Sequence, residues 1–253
     1  MAREARPGIY RSMSDNDALR VEDDGPVRHL ILNRPDKLNA IDITQHERLM
    51  AAIVATERDS NIRVLALSGE GRGFCAGDDL TAGKRAGPNP HAKRAVDLEM
   101  GSGPALLLES CEILRRLTKP TVALMHGVAL GSGYDYSLSC DFRLVTVDIR
   151  YGDPRIDRAL WAAEGWSYKL PRLANQSVVT PIAYLGHLMD GDRAVGIGLA
   201  HGIIEVETDI RTAARSFLDR LSKLEPRAYA ATKAAILDAL DATFEQSLAL
   251  GAR

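Results

Sequence analysis

Short apolar runs alternate with stripes of apolar residues at helical spacing along the first two thirds of this chain. Val27 to Leu32 reads as a strand, and the turn-rich Asn33-Arg34-Pro35-Asp36-Lys37-Leu38-Asn39 follows it. A helix should come next, because Thr44 with Glu47 three residues on makes a capping box and Leu49, Met50, Ile53 and Val54 then recur at helical spacing. Residues 63–68 predict a buried strand that runs out into Gly69, Gly71 and Gly73. Residues 81–95, with Gly83, Gly87, Pro88 and Pro90, have loop composition, and 105–117 returns to helical periodicity. The pattern then repeats: strand over 121–125, glycine-rich turn over 127–133, helix over 134–140, strand over 142–147. Strand and helix in alternation imply parallel βαβ units with right-handed crossovers. Beyond about Asp190 the chain reads as helical, with long amphipathic patterns over 210–222 and 227–248.

The organisation that follows is a flexible extension over 1–17, an α/β core over 18–190 and a helical C-terminal part over 191–253. The first residues, with Arg3, Arg6, Arg11, Pro7 and Gly8, show no periodicity. A chain of 253 residues that is 45% hydrophobic can bury one large core. Its 32 basic and 34 acidic residues nearly balance, which argues against nucleic acid or a membrane surface as partner and for a small-molecule ligand. Cys75, Cys111 and Cys140 are scattered and lack metal-site spacing, so no metal is expected and free thiols in a reducing compartment are the reading. No apolar run approaches the roughly 20 residues of a membrane span, and the start has no signal-like stretch, which points to the cytoplasm.

Two glycine-bearing segments each follow a strand: Gly73-Phe74-Cys75-Ala76-Gly77-Asp78-Asp79-Leu80, and His126-Gly127-Val128-Ala129-Leu130-Gly131-Ser132-Gly133-Tyr134-Asp135. A strand that ends in small residues and turns into a helix leaves backbone N–H groups unpaired, and the helix dipole adds positive charge there. Two such segments facing each other could hold one carbonyl oxygen between two amides and stabilise an enolate without a metal. The Gly131-Ser132-Gly133 turn does not read as a dinucleotide loop, because Tyr136 stands where that motif needs its third glycine. Cys75 reads as a packed thiol with no neighbouring histidine to activate it, and His126 as a structural histidine.

These two segments, with Arg34-Pro35-Asp36-Lys37-Leu38-Asn39-Ala40 ahead of them, resemble the crotonase superfamily of enoyl-CoA hydratases and isomerases in order and spacing. The resemblance implies an α/β core of repeated ββα turns, a helical C-terminal trimerisation part, and homotrimers or hexamers built from two trimers. It implies an acyl-CoA thioester as substrate, with coenzyme A as part of that substrate and no other cofactor. The oxyanion donors would be the amides of Asp78 and Ser132. The thioester and nucleotide would lie along Lys37, Asn39, Ala40, Cys75, Ala76, Gly77 and Gly131, and Lys233 would approach the phosphates, often from a neighbouring subunit.

The chain departs from that pattern at the acids. Asp135 stands where hydratases carry their first catalytic glutamate, and Arg155 where they carry the second; arginine cannot take up a proton at physiological pH. Glu164 is the substitute acid, paired with Asp135 in a pocket with Trp161 and Trp166 that raises both pKa values; Asp153 and Asp157 are further candidates. Arg155 pairs at the surface with these aspartates or binds a substrate carboxylate. Three functions follow as alternatives: a lyase or isomerase that adds water to an enoyl-CoA or moves a proton within it, a C–C bond hydrolase or synthase on a β-dicarbonyl compound, and a non-catalytic acyl-CoA binder. The acyl pocket is expected from residues 81–100 and the C-terminal helices.

Overall fold

A computed structural model describes residues 18–81, 102–160, 165–206 and 209–251. Its centre is a six-stranded sheet in the order β1-β2-β3-β4-β6-β8, made of β1 (Leu19–Asp24), β2 (Val27–Leu32), β3 (Val64–Gly69), β4 (Thr121–Met125), β6 (Phe142–Val145) and β8 (Gly202–Ile203). β1 turns back antiparallel to β2 through Gly25, and every other pairing in this sheet is parallel. A second sheet pairs the short strands β5 (Val128–Leu130) and β7 (Arg150–Gly152) in parallel. The last strand of the main sheet, β8, comes after Asp190, so the sheet draws on the C-terminal part of the chain as well.

Both faces of the main sheet are covered at its centre, which is why β3 and β4 are buried along their whole length and read as apolar runs instead of alternating ones. Leu65, Leu67, Ala123 and Met125 face one core, together with Leu49 and Ile53 of α1 (Ile43–Arg58) and Cys111 and Leu114 of α2 (Ser102–Arg116). Val64, Ala66, Val122 and Leu124 face the other, where α7 (Ile210–Ala213) and α8 (Arg215–Ser222) supply Ile210, Leu218 and Leu221. The period of two along a strand thus sends alternate residues into two different cores.

Several sequence expectations shift in detail. The capping box of α1 is Asp42 with Gln45, not Thr44 with Glu47: the Asp42 carboxylate accepts from the Gln45 amide at 2.9 Å and the Gln45 side chain answers the Asp42 N–H. The 127–133 turn contains β5, and 210–222 is two helices that meet at Ala214. The pattern over 227–248 is also two helices, α9 (Pro226–Ala239) and α10 (Phe244–Gly251). Between β7 and β8 lie α4 (Trp166–Leu173), α5 (Gln176–Leu185) and α6 (Gly191–Gly196). No helix among the described residues is long and apolar enough to cross a membrane, and no cluster of His, Cys, Asp and Glu among them could hold a metal ion.

Candidate active site

The two glycine-bearing segments lie side by side because β5 adds its edge to the strand-like stretch at Cys75. The Cys75 N–H donates to the Val128 carbonyl and the Leu130 N–H to the Cys75 carbonyl, both at 2.9 Å. On the far side, the Ile41 N–H donates to the Gly77 carbonyl and the Asp79 N–H to the Ile41 carbonyl. This bridge uses the groups on either side of Asp78 and leaves the Asp78 amide over. The Ser132 amide opens α3 (Ser132–Ser139), in whose first turn N–H groups have no intrahelical acceptor. Gly77 and Gly131 allow the approach: both have positive φ (105° and 52°), and a Cβ built on Gly131 would stand 3.3 Å from the Gly77 Cα. Asp78 and Ser132 therefore line one cleft, together with Ala76, Gly77, Gly131 and Arg155 among others. A larger cavity of about 910 Å³ opens near His126 and Thr146 and contains neither amide.

The acids around this cleft are arranged differently from the sequence expectation. Asp135 is 0% exposed, and its Oδ2 accepts from Arg155 Nη2 at 2.7 Å. The same guanidinium donates to both carboxylate oxygens of buried Asp153 at 2.8 Å. Arg155 is therefore a bridge between two buried carboxylates and not a surface partner, since two such anions next to each other need a cation between them. Trp166 packs against the main core. Glu164 and Trp161 lie outside the described residues.

Asp78 lines the cleft with a side chain 40% exposed. Its Oδ1 accepts from the Ser132 hydroxyl and sits 3.0 Å from His46 Nε2, while His46 Nδ1 meets the Tyr136 hydroxyl at 3.0 Å. Enclosure pushes the Asp78 carboxyl up. The hydrogen bond and charge of His46, the Ser132 hydroxyl and the Arg155 guanidinium outweigh it and hold the group below the usual carboxylate range. This network spans α1, the Asp78 segment and α3, and no local pattern announces it; the one readable hint is an acid where the resemblance implies an oxyanion donor.

The remaining expected residues separate into rim and scaffold. Lys37 is half exposed and pairs with Asp79 at 2.9 Å. Asp79 also takes Arg34 Nη2 at 2.6 Å, and the Thr81 hydroxyl, Lys37 and Arg34 hold its carboxyl far below the ordinary range. Asn39 is scaffold and not a substrate contact. It is fully buried, its Oδ1 accepts from the Arg34 N–H at 2.8 Å, and its Nδ2 donates to the Glu70 and Gly73 carbonyls. The Ala40 carbonyl accepts from Arg34 Nη1 at 2.8 Å. Cys75 is closed off as well, and burial pushes its thiol up to about 12. Lys233 is buried on α9 and pairs with Asp141 at 2.9 Å, so within its own chain it is a tether of the C-terminal helices.

An α/β protein with paired glycine turns that line one cleft is the class these features define. The enoyl-CoA hydratase/isomerase family model matches residues 27–250, and the chain belongs to that family, within the crotonase superfamily. The mitochondrial Delta(3,5)-Delta(2,4)-dienoyl-CoA isomerase of Homo sapiens is 28% identical over 225 residues, covering 88% of this chain and 69% of the relative. The 1,2-epoxyphenylacetyl-CoA isomerase of Escherichia coli K12 is 30% identical over 187 residues, covering 74% and 70%. A solved enoyl-CoA hydratase from Bacillus anthracis superposes with a TM-score of 0.82 at 25% identity, over 92% of this chain and 88% of that one. The chain is thus an enzyme of the hydratase and isomerase type.

Proposed function

We propose that this enzyme isomerises an unsaturated acyl-CoA, moving a proton from the carbon next to the thioester carbonyl to the far carbon of the double bond through a thioester enolate. The observation that carries the reading is Arg155. It stands where the resemblance implies the second hydratase glutamate, and its guanidinium is held between Asp135 and Asp153. Adding water calls for a group that takes a proton from that water, and neither a guanidinium nor the buried aspartate it neutralises is placed for that. Moving a proton through an enolate calls for the amide pair and a single proton carrier. The same bridge weighs against C–C cleavage, since an arginine occupied by two carboxylates is not held out for a substrate's own.

Coenzyme A enters as part of the substrate, with its nucleotide end toward the rim at Lys37. The C-terminal helices keep Ile236, Phe244 and Leu248 largely exposed, which supports burial of this part against another copy in a homotrimer or hexamer. The test offers the purified protein 3-hexenoyl-CoA and crotonyl-CoA in parallel and follows the conjugated-thioester absorbance. A rise with the first and little loss with the second is the expected result. Rapid loss with crotonyl-CoA overturns isomerisation in favour of hydration.

A further inference from the structure

If the enzyme runs through a thioester enolate, something must take the α proton, and the cleft narrows the choice. Asp135, the acid that the resemblance puts forward, is wholly buried and does not line the cleft, and its Oδ2 points into the Arg155 guanidinium. Among the described residues that line the cleft, Asp78 is the only carboxylate. It is borne on the residue whose amide would bind the thioester oxygen, so it stands within a short side chain of the carbon next to that carbonyl. His46, 2% exposed and fixed by Tyr136, holds Oδ1 from one side and the Ser132 hydroxyl from the other. In that arrangement the side chain keeps its exposure to the cleft.

Resting on the isomerase reading above, we infer that the Asp78 carboxylate is the catalytic base of this enzyme, and that His46 is the positioning residue that aims it. The α C–H bond breaks, its electron pair passes into the enolate, the thioester oxygen takes the negative charge between the Asp78 and Ser132 amides, and the proton goes to Asp78. Delivery of that proton to the γ carbon returns the electron pair to a new double bond and restores the carboxylate. The charge bookkeeping favours this assignment. A spectator anion beside an oxyanion hole would oppose the enolate by Coulomb repulsion, whereas a carboxylate that takes the proton becomes neutral in the step in which the oxygen becomes negative. The arrangement also explains why a buried histidine and a serine hydroxyl converge on a residue whose amide alone the oxyanion hole requires.

The test is exchange of the α protons of butyryl-CoA in D₂O, read by mass spectrometry, because a saturated thioester can enolise but can be neither hydrated nor isomerised. Asp78→Asn keeps the amide, so it is expected to bind butyryl-CoA as the wild type does and to exchange it on the order of 10²- to 10⁴-fold more slowly, the usual worth of a positioned base. Asp78→Glu, which keeps a carboxylate, should recover part of the rate and guards against misfolding of the first variant. In His46→Gln, the acid limb of the exchange profile should move to higher pH, since Asp78 loses a partner while Ser132, Arg155 and Arg158 still face the site and Asp135 stays buried behind Arg155. Wild-type exchange that persists undiminished in Asp78→Asn, or that Glu164→Gln abolishes instead, overturns Asp78 as base and leaves the enolate reading standing. A wild type that binds butyryl-CoA and exchanges nothing overturns both.

Discussion

At the scale of single residues, the bridge of Asp135, Arg155 and Asp153 decides what this site can be converted into. Placing a glutamate at 155 looks on paper like restoring a hydratase. In the folded chain it would instead put a third carboxylate between Asp135, 0% exposed, and Asp153, 4% exposed, with no cation among the three. Removing the charge alone, in Arg155→Met, already leaves two buried carboxylates without their shared partner, and breaking a buried pair costs about 3–5 kcal/mol. The expected outcome is a lowered urea midpoint for Arg155→Met, a lower one still for Arg155→Glu, and no gain of crotonyl-CoA hydration in either. A rise in hydration in Arg155→Glu at unchanged stability would show that the bridge dissolves easily and that position 155 is a free catalytic slot.

At the scale of elements, the sequence pattern was legible wherever burial was continuous. β2, β3 and β4 stand where apolar runs placed them, because strands covered on both faces need no alternation to be seen. The two glycine-bearing segments were legible too, since glycine-rich turns after strands are a local signal. β5 was not: three residues between Gly127 and Gly131 make no periodicity, and their pairing with Cys75 and with β7 is a long-range fact. For the same reason Asn39 reads as a ligand contact in the sequence and proves to be a clamp, its partners Glu70 and Gly73 lying on the other side of a helix and a strand. The His46 to Asp78 contact has this long-range character as well, and so does the bridge through Arg155. The most demanding of these local structures is at Gly131, whose φ of 52° and ψ of −120° no side-chain-bearing residue adopts at ease. Gly131→Ala should strain the backbone by about 1–3 kcal/mol and push the turn away from Gly77. The enzyme would stay folded by circular dichroism, lose most of its exchange activity, and gain a raised KM, because both amides would lose their common focus. An Ala variant with full activity would mean that the turn is held by less than the Gly77 contact implies.

At the scale of the whole molecule, the charges that hold the Asp78–Asp79 segment in place are carboxylates whose pKa values folding depresses, and this sets the direction of the protein's response to acid. Asp79 is buried among Thr81, Lys37 and Arg34, and Asp78 is held down by His46, Ser132 and Arg155 against the opposing effect of its enclosure. Asp59 and Asp209 shift the same way, Asp59 through the Asn61 amide and Arg28, and Asp209 through Arg211 and Thr212 against its own partial burial. A group whose folded pKa lies below its unfolded value binds fewer protons when folded, so it contributes stability that is fully present above the unfolded value, roughly pH 4 for aspartate, and is lost as pH falls through the folded one. His29 and His201 shift in the complementary sense, chiefly through burial, so protonating them below about pH 6 adds to the loss. The melting temperature should therefore hold level from neutral pH to about 6, decline gently as the histidines titrate, and fall steeply below pH 4. Asp79→Asn should start lower at pH 7, because Arg34 and Lys37 lose their shared carboxylate, and should lose less on the way down to pH 3. Parallel acid slopes for the variant and the wild type would place the acid lability elsewhere in the molecule and leave the segment around Asp78 and Asp79 no more sensitive to acid than the rest of the fold.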